Sequence, residues 1–210
     1  NYIDRAVISV CMPQIQEELN FSPEVVGAIL SAFFWGYALM QIPCGWLCDR
    51  FKPGKILLIG GLCWGIFQAI TGILSSSKLF MFIRVLLGIS EAPIYPAGAK
   101  LQSIWLPVTE RSRGSALVDV GSSLGNAFGA PLVALFVLWL DGWRGALIAI
   151  GALTAVIVII CGRRLMSTPD TNKRVNQAER DYIKNALEEE WKANQADSVA
   201  KKVKVRLTTY

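Results

Sequence analysis

The sequence predicts an all-α membrane protein, and three observations predict it. Apolar runs of roughly 20 residues, the length that carries a helix across a bilayer, recur along the first three quarters of the chain. Charge is sparse, at 18%, and much of it lies in short connections and after residue 162. The chain is 53% hydrophobic with a mean hydropathy of +0.42, greasier than a soluble domain of its 210 residues.

The elements follow in order. A partial span runs from Asn1 to about Ile15, and its abrupt opening on "NYIDRAVISV" reads as a helix entered part-way. The second span occupies residues 22–47. It opens on Ser22-Pro23-Glu24, an N-cap, a proline at the first helical position and a first-turn acid. The third begins at Lys55. The fourth runs from about Leu79 to Trp105, the fifth from about Gly114 to Leu140, and the sixth begins at Arg144. From Met166 onward the chain turns polar, and Ala178, Tyr182, Ala186 and Leu187 recur at helical spacing, which predicts a short amphipathic helix. The organisation expected is a membrane bundle over 1–165 and a polar segment over 166–210.

Basic residues set the orientation. Arg50, Lys52 and Lys55 lie in the second connection, Lys100, Arg111 and Arg113 in or near the fourth, and Arg163 and Arg164 after the sixth span; the odd-numbered connections hold only Lys78 and Arg144. Both ends of the bundle are therefore expected in the cytoplasm, in the cell membrane. The net charge of +5 is explained by this bias, and no basic patch with interleaved aromatics points to nucleic acid. Cys11, Cys44, Cys48, Cys63 and Cys161 sit in or beside apolar runs and read as packing residues. With no histidine in the chain, no metal site is expected.

Several ionisable residues lie inside the apolar runs. Arg84 and Glu91 stand seven residues apart in the fourth span, two turns and about 10 Å along one helix face, with Gly88 between them. An ionisable group at mid-bilayer costs about 2.5–3.5 kcal/mol on insertion scales, so it is expected to face a polar pathway or a partner. Pro93 and Pro96 weaken the helix just beyond. In the first span Asp4 and Arg5 are adjacent; neighbours on a helix diverge by about 100°, so each is expected to meet a different partner. The fifth span carries Gly121, Gly125 and Gly129 at a spacing that permits close packing, together with Asp119, Ser122 and Asn126.

"GWLCDR" before the third span, "RVLLG" in the fourth and the glycine-rich fifth span resemble the major facilitator superfamily. "YIDRA", "SAFFWGYALMQIPCGWLCDR", "RVLLGISEAPIYPAG" and "ERSRGSAL" are similar to its anion:cation symporter family, which includes bacterial galactonate, glucarate and hexuronate transporters and the animal sialins. The resemblance runs from Asn1 to about Leu187. Two departures stand out. The connection after "DR" holds Lys52-Pro53-Gly54 where the family has Gly first and a basic residue two positions on. Ser122 stands where galactonate-type members carry Gln.

The resemblance implies the N-terminal six-helix half of a twelve-helix transporter, with the other half as its partner and a small organic anion, a sugar acid or other carboxylate, as substrate. It implies that Arg5 meets the substrate carboxylate, with Tyr2, Tyr37, Ser122 and Asn126 lining the cavity. Asp4 and Glu91 would take protons, with Arg84 linked to Glu91, and Gly45, Asp49 and Arg50 would form a conformational motif. The coupling ion implied is the proton, with no other cofactor.

Elementary electrostatics supports that expectation. Burial disfavours a carboxylate ion unless a cation pairs with it, and an arginine beside it can turn to an incoming anion when the carboxylate is protonated. Proton and anion are then reciprocally coupled. An organophosphate exchanger is the alternative, separable by its pH dependence. A membrane enzyme is disfavoured, because the sequence offers no nucleophile–base arrangement; a non-transporting sensor would fail to accumulate substrate.

Overall fold

The computed structural model describes residues 2–166, 168–172 and 174–207, with side chains for all but 163–165 and 197–207; Asn1 and the side chains of Arg163 and Arg164 thus lie outside it. Its elements are α1 (Tyr2–Leu19), α2 (Pro23–Arg50), α3 (Pro53–Thr71), α4 (Ser77–Glu91), α5 (Ile94–Trp105), α6 (Val108–Trp139), α7 (Trp143–Leu165) and α8 (Gln177–Leu207). Among the described residues there is no strand.

Five stretches are long and apolar enough to cross a membrane: Pro23–Arg50, Pro53–Thr71, Ser77–Trp105, Val108–Trp139 and Trp143–Gly162. These are the five full spans expected. The chain is a multi-pass membrane protein, and its surface fits that solvent: Ile42 is 85% exposed and Trp139 77%, apolar side chains that belong against lipid rather than water.

Local sequence explains the helix ends. Ser22 Oγ accepts from Val25 N at 3.5 Å at the start of α2, with Pro23 inside the first turn. Only Phe51 and Lys52 separate α2 from α3, since Pro53 supplies the first turn of α3 with a ring already set for helix. Asn20 closes α1 in the left-handed region at φ 52°, where asparagine is tolerated. Gly142, at φ 140°, makes the bend between α6 and α7 that a residue with Cβ would resist. The fourth span is broken where its prolines predict: α4 ends on Glu91 and α5 resumes at Ile94.

The chain divides into two compact units. The first, residues 1–101 and 117–166, holds the membrane bundle. Its core gathers Val7, Ile8, Cys11, Met12 and Ile15 of α1 with Ile29, Phe80, Val133, Trp143, Leu147 and Ile150. Helix α3 packs most extensively on α7, and α2 on α4. The α2–α4 crossing is set by glycine: a Cβ on Gly36 would strike the Val85 carbonyl, and one on Gly88 the Phe33 carbonyl. Gly125 and Gly129 bring α6 against α1, where an added Cβ would lie 3.0 Å from Tyr2 Cβ and 3.2 Å from Ala6 Cβ; one on Gly121 would meet open space.

The second unit, residues 102–116 and 167–210, centres on α8. This helix has 31 residues, far longer than the apolar spacing over 178–187 marks. Asn176 Oδ1 caps it by accepting from Glu179 N at 2.8 Å. Arg111 reaches Glu190 in a two-pronged pair, Nη1 and Nη2 each 2.8 Å from a carboxylate oxygen, and Tyr182 donates to Glu110 at 3.0 Å. These polar contacts act together with the burial of Ile183 to hold the helix.

Candidate functional site

The site grows from the start of α1, where Asp4 and Arg5 leave the helix in different directions. Asp4, 4% exposed, accepts from Thr154 Oγ1 of α7 at 3.2 and 3.4 Å. Arg5 reaches α4 instead: Nε donates to Glu91 Oε2 at 3.1 Å, and Nη2 stands at the same distance from that oxygen. The divergence expected of adjacent helical residues is what the structure shows.

Three rings enclose the Arg5 guanidinium. Its Cζ lies 5.4 Å from the Tyr2 ring centroid, 5.1 Å from Phe33 and 5.0 Å from Tyr37, all within cation–π reach. Phe33 and Tyr37 are one turn apart on α2 and stack at 5.7 Å. The cage thus comes from one turn of α1 and one of α2.

Arg84 and Glu91 do share a face of α4, and both are buried, but no ion pair joins them among the described residues; Glu91 pairs across to α1. The approach of α1 to α4 brings Arg5 within hydrogen-bond reach of Glu91. Arg84 lies over the face of Phe33, 5.1 Å from its centroid, opposite in sequence logic but adjacent in space to Arg5's own contact with that ring.

The polar groups here are under-satisfied. Glu91 is fully buried, yet among the described residues its Oε1 has no hydrogen-bond partner, and neither has Arg84 Nε. Native interiors pair nearly all such atoms, so an exception of this kind marks a place where a ligand, water or proton completes the set.

A cavity of about 280 Å³ opens beside the cage, lined by Tyr2, Ile3, Ile94, Tyr95, Val118, Gly121, Ser122 and Gly125. Tyr2 and Ser122 of the expected set are brought together in it. Tyr37 stands with Arg5, and Asn126 is exposed on α6 outside the lining. Asp119 is likewise exposed. At the far end of α2, Asp49 accepts from Lys100 Nζ at 2.7 Å, Arg50 lies 5.8 Å from the Trp46 ring, and Gly45 faces open space. Sequence reasoning passed over Thr154, Phe33 and Tyr95. Only Tyr95 left a signal, its position four residues beyond Glu91.

The membrane bundle thus holds an Arg–Glu pair, its carboxylate fully buried, beside an open cavity. The chain belongs to the Major Facilitator Superfamily, whose model matches residues 1–207. It is 35% identical over 182 residues to a probable sulfoacetate transporter of Cupriavidus necator, covering 87% of this chain and 42% of that protein. It is 38% identical over 159 residues to a probable L-galactonate transporter of Escherichia coli, covering 76% and 35%. With a probable galactarate/D-glucarate transporter of Escherichia coli it shares 33% over 190 residues, covering 87% and 42%. These relatives are transporters rather than enzymes, and the chain spans about two fifths of their length. A bacterial homologue of the human lysosomal transporter Spinster, in its inward-facing and unoccupied conformation, has the same fold, with a TM-score of 0.67 at 23% identity over 76% of this chain and 39% of that one.

Proposed function

We propose that the protein is a secondary transporter of small organic anions and that it couples their movement to protons. Residues 1–165 form one wall of the pathway and 166–210 lead to a second six-helix half; substrate sites of this architecture lie between two such halves. Both ends of the bundle lie on the cytoplasmic side of the cell membrane in this reading, which the bias of basic residues toward the even-numbered connections supports. The observation that carries the reading is the Arg5–Glu91 pair: a fork-shaped cation, 27% exposed, held by a carboxylate that is fully buried.

The pair works as an exchange of partners. With Glu91 ionised, Arg5 is engaged. When Glu91 takes a proton, Arg5 is freed, and a planar guanidinium is suited to grip an incoming carboxylate with two parallel hydrogen bonds. Departure of the anion returns Arg5 to Glu91 and expels the proton. Asp4, held by Thr154 on α7, is a second buried carboxylate next in sequence to the clamp and takes part in the same cycle. Asp49, Arg50 and Gly45 serve the conformational change at the other end of α2.

The decisive test is Glu91→Gln in the full-length protein. Glutamine imitates the protonated carboxyl and cannot release a proton. Substrate binding and counterflow are expected to survive, while uptake driven by a pH gradient is lost. A folded Glu91→Gln protein that still concentrates substrate with the gradient would sink the coupling.

A further inference from the structure

The geometry points to Tyr95 as the residue that makes this site select hydroxylated carboxylates over anions that lack hydroxyl groups. The inference rests on the organic-anion reading above and names its substrate class.

Tyr95 belongs to the first turn of α5, just past the break that follows Glu91. Its hydroxyl lies 2.7 Å from that of Tyr2, although the two are 93 residues apart. Tyr2 in turn has its ring against the Arg5 guanidinium. Tyr95 is 41% exposed, and both tyrosines line the 280 Å³ cavity. A polar contact between a half-buried and an exposed phenol in an apolar wall is not demanded by packing.

The hydrogen-bonding capacity of that wall is short. Two hydroxyls in contact use one proton between them, so the pair keeps one O–H donor and unused lone pairs. Ser122, the other polar side chain of the lining, already donates to Val118 O at 3.0 Å. The remaining residues are Ile3, Ile94, Val118, Gly121 and Gly125, which offer no side-chain polarity and, at Gly121, leave space. The tyrosine pair is therefore the polar feature a ligand meets beside the Arg5 clamp.

A hydroxyl group both donates and accepts, and so does this pair; a sugar-acid chain held by its carboxylate at Arg5 matches it. A compact anion without hydroxyls leaves the donor and the lone pairs of the tyrosine pair unmatched. A site built to hydrogen-bond a substrate hydroxyl discriminates strongly against an analogue without one, since its own polar groups are then left unpaired.

The experiment measures binding of two probes, L-galactonate and sulfoacetate, to the full-length protein in its wild-type, Tyr95→Phe and Arg5→Lys forms. The wild type is expected to prefer L-galactonate. Tyr95→Phe keeps the ring, so it should weaken L-galactonate about tenfold while changing sulfoacetate less than about twofold. Arg5→Lys should weaken both. Equal losses of the two probes in Tyr95→Phe, no loss at all, or a wild type that prefers sulfoacetate would overturn the role of Tyr95 and leave the organic-anion reading standing. A wild type that binds neither probe overturns that reading and this one with it. Should Tyr95→Phe fail to fold, Tyr2→Phe breaks the same pair from its other side, and the same selective loss is expected; an equal loss of both probes again overturns the assignment.

Discussion

Two arginine–glutamate pairs occupy opposite circumstances in the same bundle. Arg144 and Glu18 meet at the helix ends, with side chains 35% and 50% exposed. Arg5 and Glu91 meet inside the span, 27% and 0% exposed. The first pair is saturated: Arg144 Nη2 and Nε donate to Glu18 Oε1 at 3.0 and 3.3 Å, Nη1 donates to Gly72 O and Leu74 O, and Trp143 Nε1 donates to Glu18 Oε2 at 2.6 Å. It rivets the ends of α1, α3 and α7. The second pair leaves an oxygen of Glu91 without a hydrogen-bond partner among the described residues. A pair with every bond made has no reason to open; one with bonds missing has a use for another ligand.

The contrast can be broken by cutting each pair at its arginine. Arg5→Ala strands a fully buried carboxylate, and removing one partner of a buried pair costs about 3–5 kcal/mol. Thermal or denaturant unfolding of the full-length protein should register that as the larger loss. Arg144→Ala leaves Glu18 in contact with water and should cost clearly less, with affinity for substrate unchanged. If the two substitutions destabilise equally, the distinction between a saturated and an open pair has no energetic content.

The smallest effect concerns pH. Hydrogen bonds from Trp143, and then from Arg144, hold the Glu18 carboxyl below its ordinary value. A group whose folded value is depressed contributes stability above its unfolded value, near 4.5, and loses it as pH falls through the folded value. Unfolding followed from neutral pH down through the carboxylate range should therefore show a dependence that Glu18→Gln flattens. An unchanged profile in Glu18→Gln would remove the carboxylate from the rivet.

How much of this the sequence showed depends on distance along the chain. Helix starts are local, so Ser22-Pro23, Pro53 and the break at Pro93 are readable as letters. The divergence of Asp4 from Arg5 follows from helical geometry alone. The pairing of Arg5 with Glu91 spans 86 residues and depends on how closely α1 and α4 approach, which no periodicity encodes. Seen along one helix, Glu91 has Arg84 as its natural partner; only packing reveals the shorter route. Thr154 and Phe33 are ordinary residues for a membrane helix, and their roles are purely positional. The length of α8 is hidden for another reason, since beyond the apolar spacing over 178–187 its contacts include polar pairs such as Arg111–Glu190, which leave no periodic signature.

The crossing of α2 and α4 carries a further consequence. Phe33, which supplies part of the cage around Arg5 and the face beneath Arg84, sits on the very turn whose carbonyl a Cβ at Gly88 would strike; Val85, beside Arg84, is what a Cβ at Gly36 would strike. Two missing methyl groups thus calibrate the gap between the aromatic wall and the charges it holds. Alanine at either glycine would act as a shim, forcing the two backbones apart and slackening the grip on both arginines without touching a single side chain of the site.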